Sequence, residues 1–345
     1  MHNEKLFFQY QKIEDKDRNY TIENLSKNQL HFSDPTKFND PFDCKFSLDH
    51  IGTREQWIND YKKLGYNQRK AVKAFNEDLK ADYLKKEDGG LYSFNFIKKM
   101  NKNIELGLSK VEEYLVYNHP NRESRKQIGI DMNDYIRDTG LPKICCFSEK
   151  DNNILMWSHY AYYHQGICLR FRSYKKRCKR NGSVDDILID LGLMVEGRDY
   201  YLLNLYSPKT MEIVTTSIFS EVEYRDDLPE SANYFDKLRP IKMYKFLLTK
   251  FSEWSYENEY RIMVPDQMLE NNLLKYQKKA LEGVVFGLKI THKNAKLVYE
   301  TIKKNYLDEG IVINFYEAKE VPKKYEIKIE PIENVEKYID SIKPI

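Results

Sequence analysis

The chain of 345 residues lacks any apolar run approaching the eighteen or so residues that span a bilayer. Its start, MHNEKLFFQYQK, lacks the apolar core of a secretion signal. Five cysteines, an odd number with Cys145 and Cys146 adjacent, make neither a disulfide framework nor a zinc knuckle. A soluble protein of the reducing cytoplasm is therefore expected. Nor is there GxGxxG, a Walker loop, HExxH or GxSxG, so the nucleotide, metalloprotease and hydrolase readings lack their mechanical parts. Repeats, coiled-coil heptads and low-complexity linkers are missing too. Lys plus Arg number 56 against 53 Asp plus Glu, and the net charge of +3 is too small to mark a nucleic-acid binder. What the chain has in quantity is charge (32%) and aromatic rings (14%, with 27 tyrosines). The rings supply the core and the walls of any cleft.

The stretch Ile144 to Phe171 organises the rest. An apolar run ends in a polar turn, a short amphipathic stretch follows, and His164-Gln165-Gly166 leads into a second apolar run, which reads as strand, helix, strand. Upstream, Leu6 to Ile13 reads as a first strand, Ile22 to Leu25 as a short helix and Leu30 to Ser33 as a second strand. Asp34 to Asp43, rich in Pro, Asp and Asn, favours turns, with Asn39 and Asp40 as candidate cleft-loop residues. Three helices are expected over 53–83, 92–116 and 121–137, and residues 51–139 are assigned to a helical insertion. Residues 1–50 and 140–345 then form a discontinuous core domain. Further strands are expected over 211–224, 283–287, 312–318 and 325–329, with helices over 232–251 and 292–306. Strands and helices alternate irregularly, which favours α+β over a doubly wound parallel sheet.

Metal ligation by His159 and His164 is disfavoured, because their five-residue spacing fits neither a helical pair nor a knuckle. Cys146 sits in an apolar run and reads as an inert buried thiol. The basic run at Lys175, Lys176 and Arg177 is a nucleic-acid candidate, with a solvated turn the favoured alternative. Glu257 and Glu259 alternate along what reads as an extended segment entering a strand, which would point both carboxylates to one face. Raising the pKa of one, or pairing with Arg261 or a nearby Lys, are both open. A metal-dependent nuclease using Asp34, Asp40, Asp43 or Glu257 lacks a compact carboxylate motif. No metal is expected.

FSDPTKFNDPFD (Phe32 to Asp43), CFSEKDNNILMWSHYAYYHQGICLRF (Cys146 to Phe171) and WSYENEYRIMV (Trp254 to Val264) resemble the signature of a bacterial family of domains of unknown function. The order of an aromatic strand, a strand-Ser-helix-Tyr unit and Asn-Glu-Tyr entering a strand is also similar to the ADP-ribosyltransferase superfamily. That resemblance implies an ADP-ribosyltransferase-like mixed or antiparallel sheet core and NAD as substrate. It implies Glu259, with Glu257, as catalytic carboxylates, since Glu257-x-Glu259 resembles the paired glutamates of the arginine-modifying branch. It further implies Gln9 or Tyr10, Ser148, Trp157, His159 and Tyr160 as NAD-binding residues. Gln9 or Tyr10 stands where the superfamily uses His or Arg, and the span from Phe147 to Tyr160 is longer than in the poly-ADP-ribosylating branch. The expected activity is transfer of ADP-ribose to a protein or nucleic-acid acceptor by a toxin or antiphage effector, with an antitoxin or partner subunit as a candidate binder. NAD hydrolysis, or a non-catalytic nucleotide or nucleic-acid sensor of a defence system, are the alternatives.

Overall fold

The computed structural model describes residues 4–13, 19–44, 48–63, 65–94, 142–180, 189, 194–233, 235–236 and 239–343. The chain divides into two compact units, one of Met1–Lys45, Pro142–Leu228 and Leu247–Ile345, the other of Phe46–Leu141 and Pro229–Phe246. Strands and helices are numbered in chain order, and both units mix the two.

The first unit holds a sheet of eight strands in the order β12 (Ser220–Glu221), β16 (Glu259–Val264), β7 (Lys143–Ser148), β1 (Leu6–Gln11), β8 (Ile167–Arg172), β18 (Leu281–Phe286), β19 (Asn314–Glu320) and β20 (Ile327–Pro331). Its ladders are antiparallel except β18 with β19, which run parallel because helix α6 (His292–Asn305) carries the chain back between them. A second sheet runs β11 (Ile213–Ile218), β10 (Asp199–Tyr206), β17 (Leu273–Tyr276), β2 (Gln29–His31), with β9 (Tyr174–Arg177) paired to β10. Strand β13 (Glu223–Arg225) pairs in parallel with β15 (Thr249–Phe251).

The two-residue period of β1 explains why this sheet is covered on both faces. Phe7 enters one core with Phe147, Phe171 and Ile262 of the same sheet and Leu205 and Tyr276 of the other. Phe8 and Tyr10 enter a second core with Met156 and Trp157 of α4 (Ile154–Tyr160). Phe7 is fully buried and its ring lies 3.9 Å from that of Phe219. Burying such a ring is worth about 2–3 kcal/mol. Helix α4 starts where it does because the Asn153 side chain accepts hydrogen bonds from the amides of Leu155 and Met156. Short helices α1 (Tyr20–Ser26), capped by Asn19, and α7 (Val335–Ser341), capped by Asn334, complete the unit.

In the second unit, α2 (Arg54–Lys63) and α3 (Gln68–Lys80) replace the single helix expected over 53–83. The break comes at Gly65, whose φ of +86° suits glycine, and Asn67 caps α3. Trp57, Ile58, Ala71, Phe75 and Leu84 form the core of this unit. It also contains β4 (Ile51–Thr53), β5 (Leu84–Lys86) and β6 (Leu91–Phe94) in one small sheet, and β3 (Leu48–Asp49) parallel to β14 (Ala232–Asn233). Tyr92, expected to begin a helix, lies in β6, so this segment is not purely helical. Residues 95–141, with the remainder of that helix and the one expected over 121–137, lie outside the described residues. The helix expected over 232–251 is restricted to α5 (Arg239–Leu247), because pairing with β3 and β13 draws its two flanks into strands. Among the described residues no helix is long and apolar enough to cross a membrane.

The turn after α4 is held by backbone hydrogen bonds through three successive residues at positive φ, Tyr162, Tyr163 and His164, and closes at Gly166. A Cβ on Gly166 would sit 2.2 Å from the Gln11 carbonyl oxygen, and one on Gly287 2.3 Å from that of His164. Neither neighbour can rotate away. Gly166→Ala and Gly287→Ala are each expected to cost about 1–3 kcal/mol, read as a lower urea midpoint; an unchanged midpoint would contradict this packing.

Candidate functional site

Strand β1 stays registered with β8 over six residues, Leu6 to Gln11. With β7 its register shows one pair, Phe8 opposite Ser148. At the other end of β7, Ile144 exchanges backbone hydrogen bonds with Ser33, beyond β2. The sheet is therefore split between β1 and β7, and a cavity of about 1090 Å³ lies there. Its wall includes Gln9, Tyr10, Asn39, Ser148, Tyr160, Lys250, Glu257 and Glu259.

The segment Trp254 to Val264 reaches this wall through β16, whose register sets Glu259 opposite Ser148 and Arg261 opposite Cys146. Glu257 ends a 3-10 turn, Asn258 is left-handed (φ 44°, ψ 52°), and Glu259 opens the strand. The segment is thus not the extended run expected from the sequence. Asn258 reverses the backbone instead, and both carboxylates still converge on one ammonium. Lys250 Nζ lies 2.5 Å from Glu257, 3.2 Å from Glu259 and 3.5 Å from Asp43.

Arg261, fully buried, completes the cluster. Its Nε and Nη2 donate to the two oxygens of Glu259 at 2.8 and 3.0 Å, and Nη2 also donates to both oxygens of Asp43 at 2.9 and 2.8 Å. Nη1 donates to the Leu247 carbonyl at 2.7 Å and to the Cys44 sulfur at 3.0 Å. Three carboxylates face two cations, which leaves one negative charge in excess. Burial raises the pKa of Glu257, and the neighbouring Glu259 adds to this while Lys250 opposes it. For Glu259 burial also pushes upward, but Arg261 and Lys250 outweigh it and hold the carboxyl down at about 2. Burial weakens the charged form of Lys250, yet Glu259, Glu257 and Asp43 together raise its pKa. Burial likewise raises the pKa of the Tyr160 hydroxyl, which donates to Glu257 Oε1 at 2.6 Å.

Ser148 is buried beneath this cluster. Its hydroxyl donates to the Glu257 carbonyl at 2.6 Å and accepts from the Lys150 amide at 3.1 Å. The Glu149 amide donates to the Asn258 carbonyl, and Asn153 Nδ2 donates to that of Tyr256. The turn after β7 thereby fixes the turn that carries Glu257. Gln9 Nε2 donates to Cys145 Sγ at 3.2 Å and the Cys146 carbonyl at 3.4 Å, bridging the split. The Tyr10 hydroxyl donates to the Lys150 carbonyl at 2.8 Å.

Other candidates lie elsewhere. Trp157 is a core residue, its indole donating to the Asp151 carbonyl, and it is not among the residues that line the cavity. His159 is exposed beside the Tyr256 ring, and Asp40 accepts from the Phe42 amide in an Asx turn; neither lines the cavity. Lys175, Lys176 and Arg177 form the exposed strand β9 rather than a turn, and Lys175 and Arg177 both pair with Asp199, at 2.7 and 3.3 Å. Burial raises the Cys146 thiol pKa well above its usual range, which suits an inert strand cysteine. Among the described residues no group of three His, Cys, Asp or Glu side chains is placed to hold a metal ion. The Lys250 ammonium takes the centre of the carboxylate trio.

Asp43 and Lys250 are the cluster members that sequence reasoning missed as charge partners. Arg261 was visible, two residues beyond Glu259 on the same strand face. Nothing in spacing marks the other two.

Residues 156–262 match the family model described as Protein of unknown function (DUF2971). The match runs from α4 into β16 and takes in Tyr160, Lys250, Glu257, Glu259 and Arg261. No curated protein and no solved structure matches the chain.

The cluster separates the two glutamates by stability. Glu259→Gln strips a partner from buried Arg261 and is expected to cost about 3–5 kcal/mol, whereas Glu257→Gln removes the excess negative charge and is expected to cost little. The depressed pKa of Glu259 gives stability that is present above about pH 4.5 and lost as pH falls toward 2. The raised pKa of Glu257 acts oppositely, its contribution being present in acid and lost as pH rises. Urea denaturation across this range checks both, and equal losses for the two variants at pH 7 would contradict the charge count.

Proposed function

We propose that the chain cleaves the bond between nicotinamide and ribose in NAD and passes ADP-ribose to a protein or nucleic-acid acceptor, with water as a competing acceptor. The observation that carries this reading is the pairing of Glu259 with Ser148 across β16 and β7, with Glu257 and Tyr160 on the same cavity wall. These residues arrive on two of the segments whose order resembles the transferase motifs, the strand-Ser-helix-Tyr unit and the Glu entering a strand, and β7 and β16 are neighbours in one sheet.

As the bond from ribose C1′ to the pyridinium nitrogen breaks, its electron pair leaves with neutral nicotinamide and positive charge develops on the ribose. A fixed cluster with one surplus negative charge stabilises that charge as it forms, without reorganisation. Glu259, locked by Arg261, supplies the permanent negative charge. Glu257, on a turn and bonded to Tyr160 and Lys250, is the carboxylate suited to take the acceptor's proton when the acceptor's lone pair closes on C1′. Glu257 thus gains standing over Glu259 as the group that exchanges protons. Ser148, buried and committed to the Glu257 carbonyl, positions the turn.

A second reading, a nucleotide-binding module without chemistry, is favoured by one observation: both oxygens of each glutamate already have partners within the protein. NAD carrying separate labels on nicotinamide and adenylate distinguishes the two. The transferase reading expects wild-type chain, with cell extract, to release nicotinamide and label an acceptor. Glu257→Gln, checked for folding by circular dichroism, should lose about 100-fold or more of this rate. Equal rates in wild type and variant would overturn the assignment, and tight binding of intact NAD would favour the second reading.

A further inference from the structure

The cavity extends beyond the charged cluster to a wall formed by α1, β2 and the loop entering β17. Three amide side chains stand there among charged and apolar ones. Asn24 on α1, Gln29 on β2 and Asn271 before β17 all line the cavity, and their side chains make no hydrogen bond among the described residues. Some other amides of this unit are committed to the fold: Asn19 and Asn153 cap helices, Asn28 donates to the Tyr276 carbonyl, and Asn314 donates to Glu282. What sets these three apart is their place on one cavity wall, where their donors and acceptors can turn to a ligand. Tyr20, 59% exposed, lines the same wall, as do Lys12 and Lys27.

We propose that this wall binds the adenosine end of the dinucleotide and reads adenine as the base. The proposal deepens the NAD reading and rests on it. A carboxamide offers a donor and an acceptor in one plane, the complement of the adjacent amino group and ring nitrogen on adenine. The Tyr20 ring offers a face on which a base stacks, and the two lysines supply positive charge for the diphosphate that joins the halves. At about 1090 Å³ the cavity matches the upper end of small-molecule sites, room enough for both halves of a dinucleotide. Glu270 on this wall already accepts from Ser207 and pairs with Lys209, so its charge is offset.

The test has a readout that needs no turnover. Calorimetry measures ADP-ribose binding to the full chain, to Asn24→Leu with Gln29→Leu, and to Gln29→Glu, which keeps the shape and the acceptor but loses the donor. Affinity is expected to fall about tenfold or more in the double variant, in line with the worth of one bidentate amide–adenine pair. Wild type should likewise prefer NAD over its hypoxanthine analogue by a similar factor, and the double variant should lose that preference. Unchanged ADP-ribose affinity in the variants, absence of ADP-ribose binding to wild type, or equal use of the two dinucleotides overturns the proposal. Nicotinamide release with equal use of adenine and hypoxanthine would sink this inference alone. Amide-dependent ADP-ribose binding with no nicotinamide release from NAD would uphold it and sink the cleavage reading.

Discussion

A guanidinium with no solvent contact has to be satisfied entirely by the protein, and the geometry around Arg261 follows from that demand. Its donors draw in Asp43 from the Pro- and Asp-rich loop, Glu259 from the same strand and the Leu247 carbonyl from the end of α5. Lys250 then bridges the carboxylates that Arg261 leaves partly exposed to one another. Without these two cations three carboxylates would repel one another in a setting that amplifies the repulsion. With them, Glu259 is held ionised and Glu257 is left as the group whose charge is least supported.

The backbone serves the same arrangement. Strand β1 parts from β7 after a single registered pair, and the opening so made is the cavity. Ser148 stands at the point of parting, registered with Phe8 on one side and Glu259 on the other. The turn after it holds the Glu257 turn by a hydroxyl, a backbone amide and the Asn153 carboxamide. Asn153 also caps α4, so the helix that bears Tyr160 and the turn that bears Glu257 share one anchor.

Much of this frame was legible in the sequence, since β7 and β8 read as apolar runs and β1 as an aromatic-rich one, as strands buried on both faces do, with a polar turn before α4. That Ser148, Tyr160 and Glu259 share one cleft was an expectation of the transferase resemblance, which spacing in the sequence could not supply; the register of β16 on β7 sets Glu259 opposite Ser148. Of the charge partners Arg261 was legible, while Asp43 and Lys250 were not. Asp43 lies 218 residues from Arg261, and no local period connects positions that only tertiary folding brings together. The left-handed Asn258 was hidden too, because Glu-x-Glu reads as alternation until the middle residue's φ is known. Trp157 and His159 misled for a related reason: the residues beside Tyr160 on a short helix point to the core and to solvent, while Tyr160 itself meets the cavity.

On the proposed function, the buried cluster with one uncompensated negative charge selects a ligand that carries or develops positive charge. The most direct measurement is the affinity of the oxidised and reduced forms of a carba-analogue of NAD, whose methylene in place of the ribose ring oxygen prevents cleavage. The cationic pyridinium form should bind about tenfold or more tightly than the neutral dihydropyridine form, with Glu257→Gln abolishing the difference. Equal affinity of the two forms for the wild-type chain would contradict it.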